Sequence, residues 1–240
     1  GVPDFSNLLE ILTGFSNSVE LTAFEFFSDL ALEKVKEHRN LKDPLDSRVD
    51  FYALIEFDES AIDEVLVVYE LCFDNGWVTD GVISQSEAQA KSLWALREGI
   101  SESLAPYTPY KNDLSVRIAD VPSFLSKVDS YVSASYPGFE VCWYGHIGDG
   151  NLHLNILRPK EMGVEEFMHY GHEMSPKIFE IVAEANGSIS AEHGVGLVKK
   201  EFLSYSRSSA EQNLMRGIKF LFDPHQILNR PHTRYRHSLF

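Results

Sequence analysis

The chain has 240 residues, of which 36 are acidic and 21 are basic, and its formal net charge is −15 at pH 7. Such a surplus repels phosphate backbones and anionic lipid headgroups, so generic electrostatic binding to nucleic acid or to a membrane surface is disfavoured. Apolar residues make up 44% of the chain, enough for a sizeable core, which excludes extended disorder. Cys72 and Cys142 are too few for a disulfide framework or a four-cysteine zinc site.

No apolar run approaches the roughly 18 residues that a membrane-spanning helix requires, and the N-terminus lacks the basic start and apolar core of a signal peptide. We therefore expect a soluble protein of the cytoplasm or, in a eukaryote, of the mitochondrial matrix. Because the chain does not begin with Met, we also expect it to be a cleaved form or a piece of a longer protein.

The first half of the chain predicts alternating strands and helices from its period-2 and period-3.6 patterns. Asn75 and Gly76 form a helix-ending signal, and Pro106 ends a later helix. The predicted elements are a strand at 20–26, a helix at 29–35, a strand at 51–57, a helix at 60–73, a strand at 77–83 and a helix from Ser84 or Ser86 to Pro106.

The second half predicts a β-α-β-β-α-β order, which is the ferredoxin-like pattern. Its elements are a strand at 113–118, a helix at 122–134, strands at 139–146 and 151–157, a helix at 164–185, a strand at 187–190 and a last helix at 209–222. Within the long helix, Ser175 and Pro176 are typical of a fresh N-cap and first turn. We predict an α+β fold with an antiparallel sheet and helices packed on one face, clearest over 109–192.

The segment from Tyr144 to Ile156 carries the strongest chemical signal. Asp149 and Gly150 predict a two-residue hairpin turn, which would place His146 directly opposite His153 with Cβ atoms about 4.5 to 5.5 Å apart. By the period of two, Asn155 shares their face. Paired imidazoles bind a divalent metal when a third ligand arrives, although two hydrogen-bonded structural histidines would also fit this hairpin.

A second segment, 187–196, ends in a glycine-flanked loop that contains Glu192 and His193. Glu192 would complete a site of two histidines and a carboxylate with an open position. His193 lies on the other side of an extended backbone, so it is placed better for a general base than for another ligand. His169 and His172, beside several glutamates on a helix, are not assigned to a metal because their spacing is not HExxH.

Two cations are candidates for binding an anion. Arg97 follows Trp94 on a mostly apolar helix face, and Lys111 precedes a strand. An arginine can hold a carboxylate through two parallel hydrogen bonds, and a lysine adds a point charge. A surface ion pair, for example between Arg97 and Glu102, is the competing interpretation.

Several motifs occur in the same order as in one family. They are the hairpin from His146 to Asn155, Ser190 to Gly194, Trp94 to Glu98, Lys111 to Ser115, and Asp223 to Asn229. The chain resembles the C-terminal, substrate-side domain of the FAD-linked D-2-hydroxyacid dehydrogenases, vanillyl-alcohol-oxidase-type flavoenzymes that act on D-lactate, glycolate or D-2-hydroxyglutarate. We expect this domain over residues 1–229 and a tail without assigned function at 230–240. The sequence at 187–206 favours the D-2-hydroxyglutarate branch.

The resemblance also implies residue roles. A divalent metal, usually zinc, would be bound by His146, His153 and Glu192, and His193 would be the base. The residues implied to bind substrate are Arg97, Ser101, Lys111 and Asn155. Two departures from the family pattern are Asn112, where an aromatic residue is common, and the run Asn229–Arg230–Pro231–His232.

The resemblance further implies that FAD is bound mainly by an N-terminal domain, and no glycine-rich segment in residues 1–80 can replace that domain. The whole enzyme would oxidise a D-2-hydroxy acid to the 2-oxo acid, with hydride passing to FAD, and this fragment alone would be inactive. The implied partners are a small 2-hydroxy acid, the chain's own FAD domain, an electron acceptor of unknown identity and, as an open option, a second copy in a homodimer.

Two other functions stay open at this point. One is a metal-dependent hydrolase in which Glu192 or His193 activates water. The other is a noncatalytic binding module in which the metal merely pins the hairpin to the loop.

Overall fold

The computed structural model describes residues 1–228. Residues 229–240 lie outside the described residues, and with them the Asn229–His232 departure and the predicted tail at 230–240.

One five-stranded antiparallel sheet organises the chain, in the order β2-β1-β4-β5-β3. Its strands are β1 (Leu21–Ser28), β2 (Phe51–Phe57), β3 (Tyr110–Ser115), β4 (Glu140–His146) and β5 (Asn151–Leu157). The predicted α+β class and the antiparallel sheet are confirmed.

The helices are α1 (Phe5–Ser18), α2 (Asp29–Arg39), α3 (Ile62–Asp74), α4 (Glu87–Glu98), α5 (Ile100–Leu104), α6 (Val121–Ser135), α7 (Val164–Glu184) and α8 (Ser209–Phe222). Each of the longer core helices buries one apolar stripe at helical spacing, which is the pattern of a helix packed on a sheet. In α1, for example, the buried residues are Phe5, Leu8, Ile11 and Phe15.

The main core lies between one sheet face and the helices α1, α3, α6 and α7. Side chains alternate across a strand, so Phe26 of β1 and Trp143 of β4 enter this core while their neighbours Phe27 and Tyr144 point to the opposite face. On that opposite face a smaller core packs against α2, α4 and α5. The small core covers only part of its face, and polar residues occupy the rest.

The ferredoxin-like order is present in the second half as β3, α6, β4, β5 and α7, whose two helices pack on the same face as predicted. The predicted strand at 187–190 is wrong as a strand. It is reduced to a single bridge in which Ser188 pairs with Ser115. Backbone groups beyond Ser188 bind side chains instead, including the hydroxyl of Ser206, which accepts from Ile189 N at 2.8 Å.

Two further predictions of elements are wrong. Residues 77–83 form no strand, because the N–H of Trp77 donates to Cys72 at the end of α3 and that of Thr79 donates to Gly1. The helix predicted up to Pro106 is divided into α4 and α5 at Gly99. The helix predicted at 164–185 is confirmed as α7, which continues through Pro176. In addition, α1 lies in a region where no element is predicted.

Helix α8 differs from the others because none of its residues is buried. A capping box of Ser208 and Glu211 starts it. Its large apolar side chains are exposed, namely Leu214, Met215, Ile218, Phe220, Leu221 and Phe222. Of the helices in residues 1–228, none combines the length and apolar character needed to cross a membrane.

Candidate substrate and metal site

Strand register arranges the polar residues in rows on the sheet face opposite the main core. One row across the strands consists of Phe27, Tyr144, His153 and Asp113, and the next of Glu25, His146, Asn151 and Ser115. Lys111 pairs with Asn155 in a third row. Residues from four strands, far apart in sequence, therefore meet on one surface.

The predicted hairpin register is wrong by two residues. Tyr144, rather than His146, pairs with His153, and the connection is a 3₁₀ turn at Ile147–Asp149 followed by Gly150. Ile147, the first residue of this turn, is completely buried in the main core. A shift of two keeps both histidines on the predicted face, and their ring centroids are 5.6 Å apart.

Two glycines of this hairpin are required by its geometry. Gly150 has a φ of +73°, and a Cβ there would lie 2.1 Å from the carbonyl oxygen of Val116. At Gly145 a Cβ would lie 2.2 Å from the carbonyl oxygen of Asn151. A larger residue at Gly145 would push apart the two strands that carry the histidines, and one at Gly150 would displace the turn from Val116.

His146 is held by a buried carboxylate on β1. Its Nδ1 is 2.7 Å from Oε1 of Glu25, and this hydrogen bond raises the pKa of the imidazole above its ordinary value. The bond occupies Nδ1 and leaves Nε2 as the nitrogen available to a ligand.

His153 is more deeply buried than His146 and packs against Tyr144, with ring centroids 4.7 Å apart. Burial, followed by the positive charge of Arg97, lowers the pKa of His153 to about 4. The imidazole is therefore neutral at physiological pH, which is the form that binds metals. Its Nδ1 lies 3.9 Å from Oδ1 of Asp113, and its Nε2 lies 3.7 Å from Oε1 of Glu192.

Asp113 anchors the loop that contains Glu192 and His193. Its Oδ2 accepts three backbone hydrogen bonds, from the N–H groups of Ala191, Glu192 and His193, at 3.0, 2.9 and 3.0 Å. The loop places His193 Nε2 at 3.4 Å from Glu192 Oε1, and the His193 side chain is mostly exposed. Loop and hairpin are thereby brought together as the sequence predicts.

Replacing Asp113 with alanine in the full-length protein is expected to loosen this loop. Three hydrogen bonds to a charged acceptor are lost, so amide exchange at residues 191–193 should accelerate by about 10-fold or more. The affinity for an added divalent metal should fall by about 10- to 100-fold, as for other residues that orient metal ligands. Hydrogen–deuterium exchange and competition with a chelating dye measure the two effects. Asp58→Ala, which removes an exposed cap on Ser60, is the control, and unchanged exchange at the loop would contradict the prediction.

Lys199 stabilises the same loop through hydrogen bonds to backbone carbonyl groups. Its Nζ donates to the carbonyl oxygens of Ile189 at 2.5 Å and Asp113 at 3.2 Å, and burial lowers its pKa to about 8. Carbonyl groups stabilise the ammonium without neutralising it, so the buried charge is costly.

This depressed pKa predicts a pH dependence of stability. Between pH 8 and 10.5 the unfolded state keeps the Lys199 proton that the folded state has lost, so the free energy of unfolding should rise with pH across that window. Urea unfolding at several pH values should give a smaller rise for Lys199→Met than for the wild type. Lys91→Met, at an exposed position of α4, should follow the wild type. Equal rises for wild type and Lys199→Met would contradict the assignment.

Arg97 enters the site from α4 and is largely buried. Its Nη2 forms an ion pair with Oε2 of Glu25 at 2.8 Å, and its guanidinium lies 4.9 Å from the Tyr144 ring centroid. The Nε of Arg97 is buried and has no hydrogen-bond partner within residues 1–228. The competing interpretation, a surface pair with Glu102, does not hold, since Glu102 pairs with Arg39.

The other predicted substrate residues lie beside Arg97. Lys111 Nζ is 3.4 Å from Ser101 Oγ, and partial burial lowers the pKa of Lys111. Asn155 is buried, and its Oδ1 has no hydrogen-bond partner in the described part of the chain. Tyr144 lies among these residues, and burial raises the pKa of its hydroxyl. The four predicted residues therefore surround one polar surface that contains unsatisfied donor and acceptor atoms.

Comparison with known proteins identifies the family of the chain. Residues 1–232 match the family described as FAD linked oxidases, C-terminal domain. The chain belongs to this family.

Several curated relatives are named as D-2-hydroxyglutarate dehydrogenases. A D-2-hydroxyglutarate dehydrogenase of Stutzerimonas stutzeri is 49% identical over 95% of this chain and 50% of its own length. One from Xanthomonas citri is 46% identical over 95% of this chain and 49% of its length, and a mitochondrial one from Arabidopsis thaliana is 38% identical over 92% and 39%. The chain spans about half the length of the bacterial relatives.

The donor set in this FAD-linked oxidase domain fits a divalent metal. Donor atoms of Asp113, His153, Glu192 and His193 all lie within 4.8 Å of one another, and this is the one such group in residues 1–228. His146 is outside that group but next to it, with its Nδ1 bound to Glu25. Asp113 anchors the loop through Oδ2, which accepts the three N–H bonds, whereas its buried Oδ1 has no hydrogen-bond partner within residues 1–228. His169 and His172 are not among these residues.

Sequence reasoning missed three residues of this site, Glu25, Asp113 and Lys199. The sequence does contain a signal for Glu25, because an acidic residue stands between Phe24 and Phe26 in a predicted strand. Such a residue is either exposed at an edge or buried with a partner, and the pattern alone does not distinguish these cases. Asp113 and Lys199 carry no comparable signal.

Proposed function

We propose that this chain is the substrate- and metal-binding part of an FAD-dependent dehydrogenase that oxidises a D-2-hydroxy acid to the 2-oxo acid. The observation that carries the proposal is the meeting of Arg97, Lys111 and Asn155 with two histidines and the Glu192–His193 loop on one sheet face. The names of the relatives favour D-2-hydroxyglutarate among the substrates of this class.

Arg97 and Lys111 bind a substrate carboxylate in this proposal. Within residues 1–228, the buried Nε of Arg97 has no hydrogen-bond partner, and partial burial lowers the pKa of Lys111. Both side chains are therefore cationic donors that are incompletely solvated and can accept a further anionic partner. A carboxylate supplies what both lack. Ser101 and Asn155 add a hydroxyl and an amide at the same place. A small cationic pocket of this kind is compatible with a net charge of −15, because that charge is spread over the whole surface.

His146, His153 and Glu192 would hold a divalent metal, with zinc as the first candidate for two imidazoles and a carboxylate. When bound, such a metal polarises the substrate hydroxyl as a Lewis acid. His193 then accepts the hydroxyl proton at Nε2. Its exposure leaves room for a substrate, and Asp113 holds its backbone in place.

FAD would be bound by a further part of the polypeptide and would serve as the electron acceptor. The family description names FAD, and the bacterial relatives are about twice as long as the stretch matched here. Helix α8 supports a partner domain as well, because an isolated helix of 14 residues with an uncovered apolar face is marginally stable in water.

The test uses the full-length protein with its flavin part. We expect D-2-hydroxyglutarate or D-lactate to bleach the flavin absorbance, and we expect a chelator to slow that bleaching by about 100-fold or more, with recovery on adding zinc. This chain on its own should bind zinc and turn nothing over. Hydrolysis that is lost on chelation, without flavin reduction, would favour the hydrolase instead. Bleaching that is unaffected by the chelator and by loss of His193 would leave the metal a purely structural role.

A further inference from the structure

Glu25 joins the two halves of the site. It lies on β1 with only 6% of its surface exposed, and each of its carboxylate oxygens faces a different functional residue. Oε1 is 2.7 Å from His146 Nδ1, and Oε2 is 2.8 Å from Arg97 Nη2. A buried carboxylate is retained only where its charge is compensated, and here a cation and an imidazole compensate it together.

The first contact determines how His146 is presented. A carboxylate acceptor at Nδ1 keeps the proton on that nitrogen and leaves the lone pair on Nε2. It also holds the ring in one orientation, so the imidazole does not have to be ordered when a metal binds. His146 is about half-exposed, and Glu25 is the hydrogen-bond partner of its ring in the described part of the chain.

The second contact determines where Arg97 points. With Nη2 engaged by Glu25 and the guanidinium over Tyr144, the planar group has one orientation. Its buried Nε is left for another acceptor. An arginine without this partner would retain its charge but would sample several rotamers before binding an anion.

We propose that Glu25 is a positioning residue that orients the metal ligand His146 through one oxygen and the carboxylate-binding Arg97 through the other. This inference rests on the proposed function for the roles of His146 and Arg97. It adds that one buried side chain serves metal binding and substrate binding at the same time.

Two substitutions separate the two roles. Glu25→Ala removes both contacts. Glu25→Gln keeps a carbonyl oxygen that can accept from His146 Nδ1, but its NH₂ group would face the donor Nη2 of Arg97. The matched control is Glu56→Gln on β2, where the carboxylate accepts from Trp94 and lies outside the site.

In the full-length flavoprotein, zinc affinity is measured by competition with a chelating dye. Glu25→Ala should weaken it by about 10- to 100-fold, whereas Glu25→Gln should stay within about 3-fold of the wild type. The dissociation constant of 2-oxoglutarate, measured by calorimetry, should rise by about 10-fold in both variants. Glu56→Gln should change neither quantity. Circular dichroism and flavin content establish that each variant is folded.

Equal zinc affinity in Glu25→Ala and the wild type would overturn the role toward His146, and wild-type binding of 2-oxoglutarate by Glu25→Gln would overturn the role toward Arg97. If Glu25→Ala does not fold, a Glu25→Gln variant with zinc affinity reduced by 10-fold or more overturns the assignment of separate roles. A wild-type protein that binds no zinc would refute the metal site itself, which distinguishes failure of the proposed function from failure of this inference.

Discussion

Replacing His193 with alanine in the full-length enzyme is expected to lower kcat by about 100- to 10,000-fold, the usual contribution of a general base. Zinc content should be unchanged, because the three residues that would bind the metal are retained. Within residues 1–228, the imidazole contacts only the neighbouring Glu192 and the His153 ring, whose centroid is 6.3 Å away, so little packing is lost. Steady-state kinetics and metal analysis on the same preparation provide the measurement.

His169→Ala is the matched control for this experiment. Both histidine side chains are 70% exposed, and each has its Nε2 near a glutamate oxygen, at 3.4 Å for His193 and 3.3 Å for His169. His169 lies on α7, away from the site, so its variant should keep wild-type kcat. If His193→Ala kept wild-type activity, the proton acceptor would have to be another group and the proposed role of His193 would be wrong.

Replacing Arg97 with alanine is expected to have the largest effect on stability. Glu25 would remain buried without its cation, and breaking a buried ion pair in this way costs about 3 to 5 kcal/mol. Arg97→Ala should also raise the KM for the hydroxy acid, since the carboxylate loses its planar donor. Urea denaturation followed by circular dichroism gives the first quantity, and steady-state kinetics gives the second.

Arg48→Ala is the control for the ion pair. Arg48 contacts Asp29 and Glu33, but its side chain is 67% exposed, against 10% for Arg97. Solvent screens exposed pairs, so this variant should lose much less stability than Arg97→Ala and no activity. Equal losses of stability in the two variants would show that the Glu25–Arg97 pair is not the buried, coupled pair described here.

The chemistry of the site was largely readable from local patterns. Period-2 alternation placed His146, His153 and Asn155 on one strand face, and a glycine-flanked loop marked Glu192 and His193. These predictions survived an error of two residues in hairpin register, because an even shift leaves every side chain on its face. An odd shift would have placed the two histidines on opposite faces of the sheet.

Two predicted strands were wrong because their backbone N–H groups bind partners other than a neighbouring strand. The N–H groups of Trp77 and Thr79 bind the end of α3 and the first residue of the chain, so an apolar stretch that resembles a strand is not one. Residues after Ser188 similarly use side-chain partners. Such partners are chosen by tertiary proximity, which a local pattern does not contain.

By itself, the sequence determined the α+β class, the order of most elements and the family, and it predicted the candidate site residues, because each of these depends on neighbours within a few turns or strands. Only the tertiary structure decided which buried carboxylates support those residues. Glu25 meets His146 across 121 positions of sequence, and Asp113 meets Glu192 across 79. Contacts of that separation follow from strand order and register in the folded sheet, and these depend on how whole elements pack rather than on any local pattern.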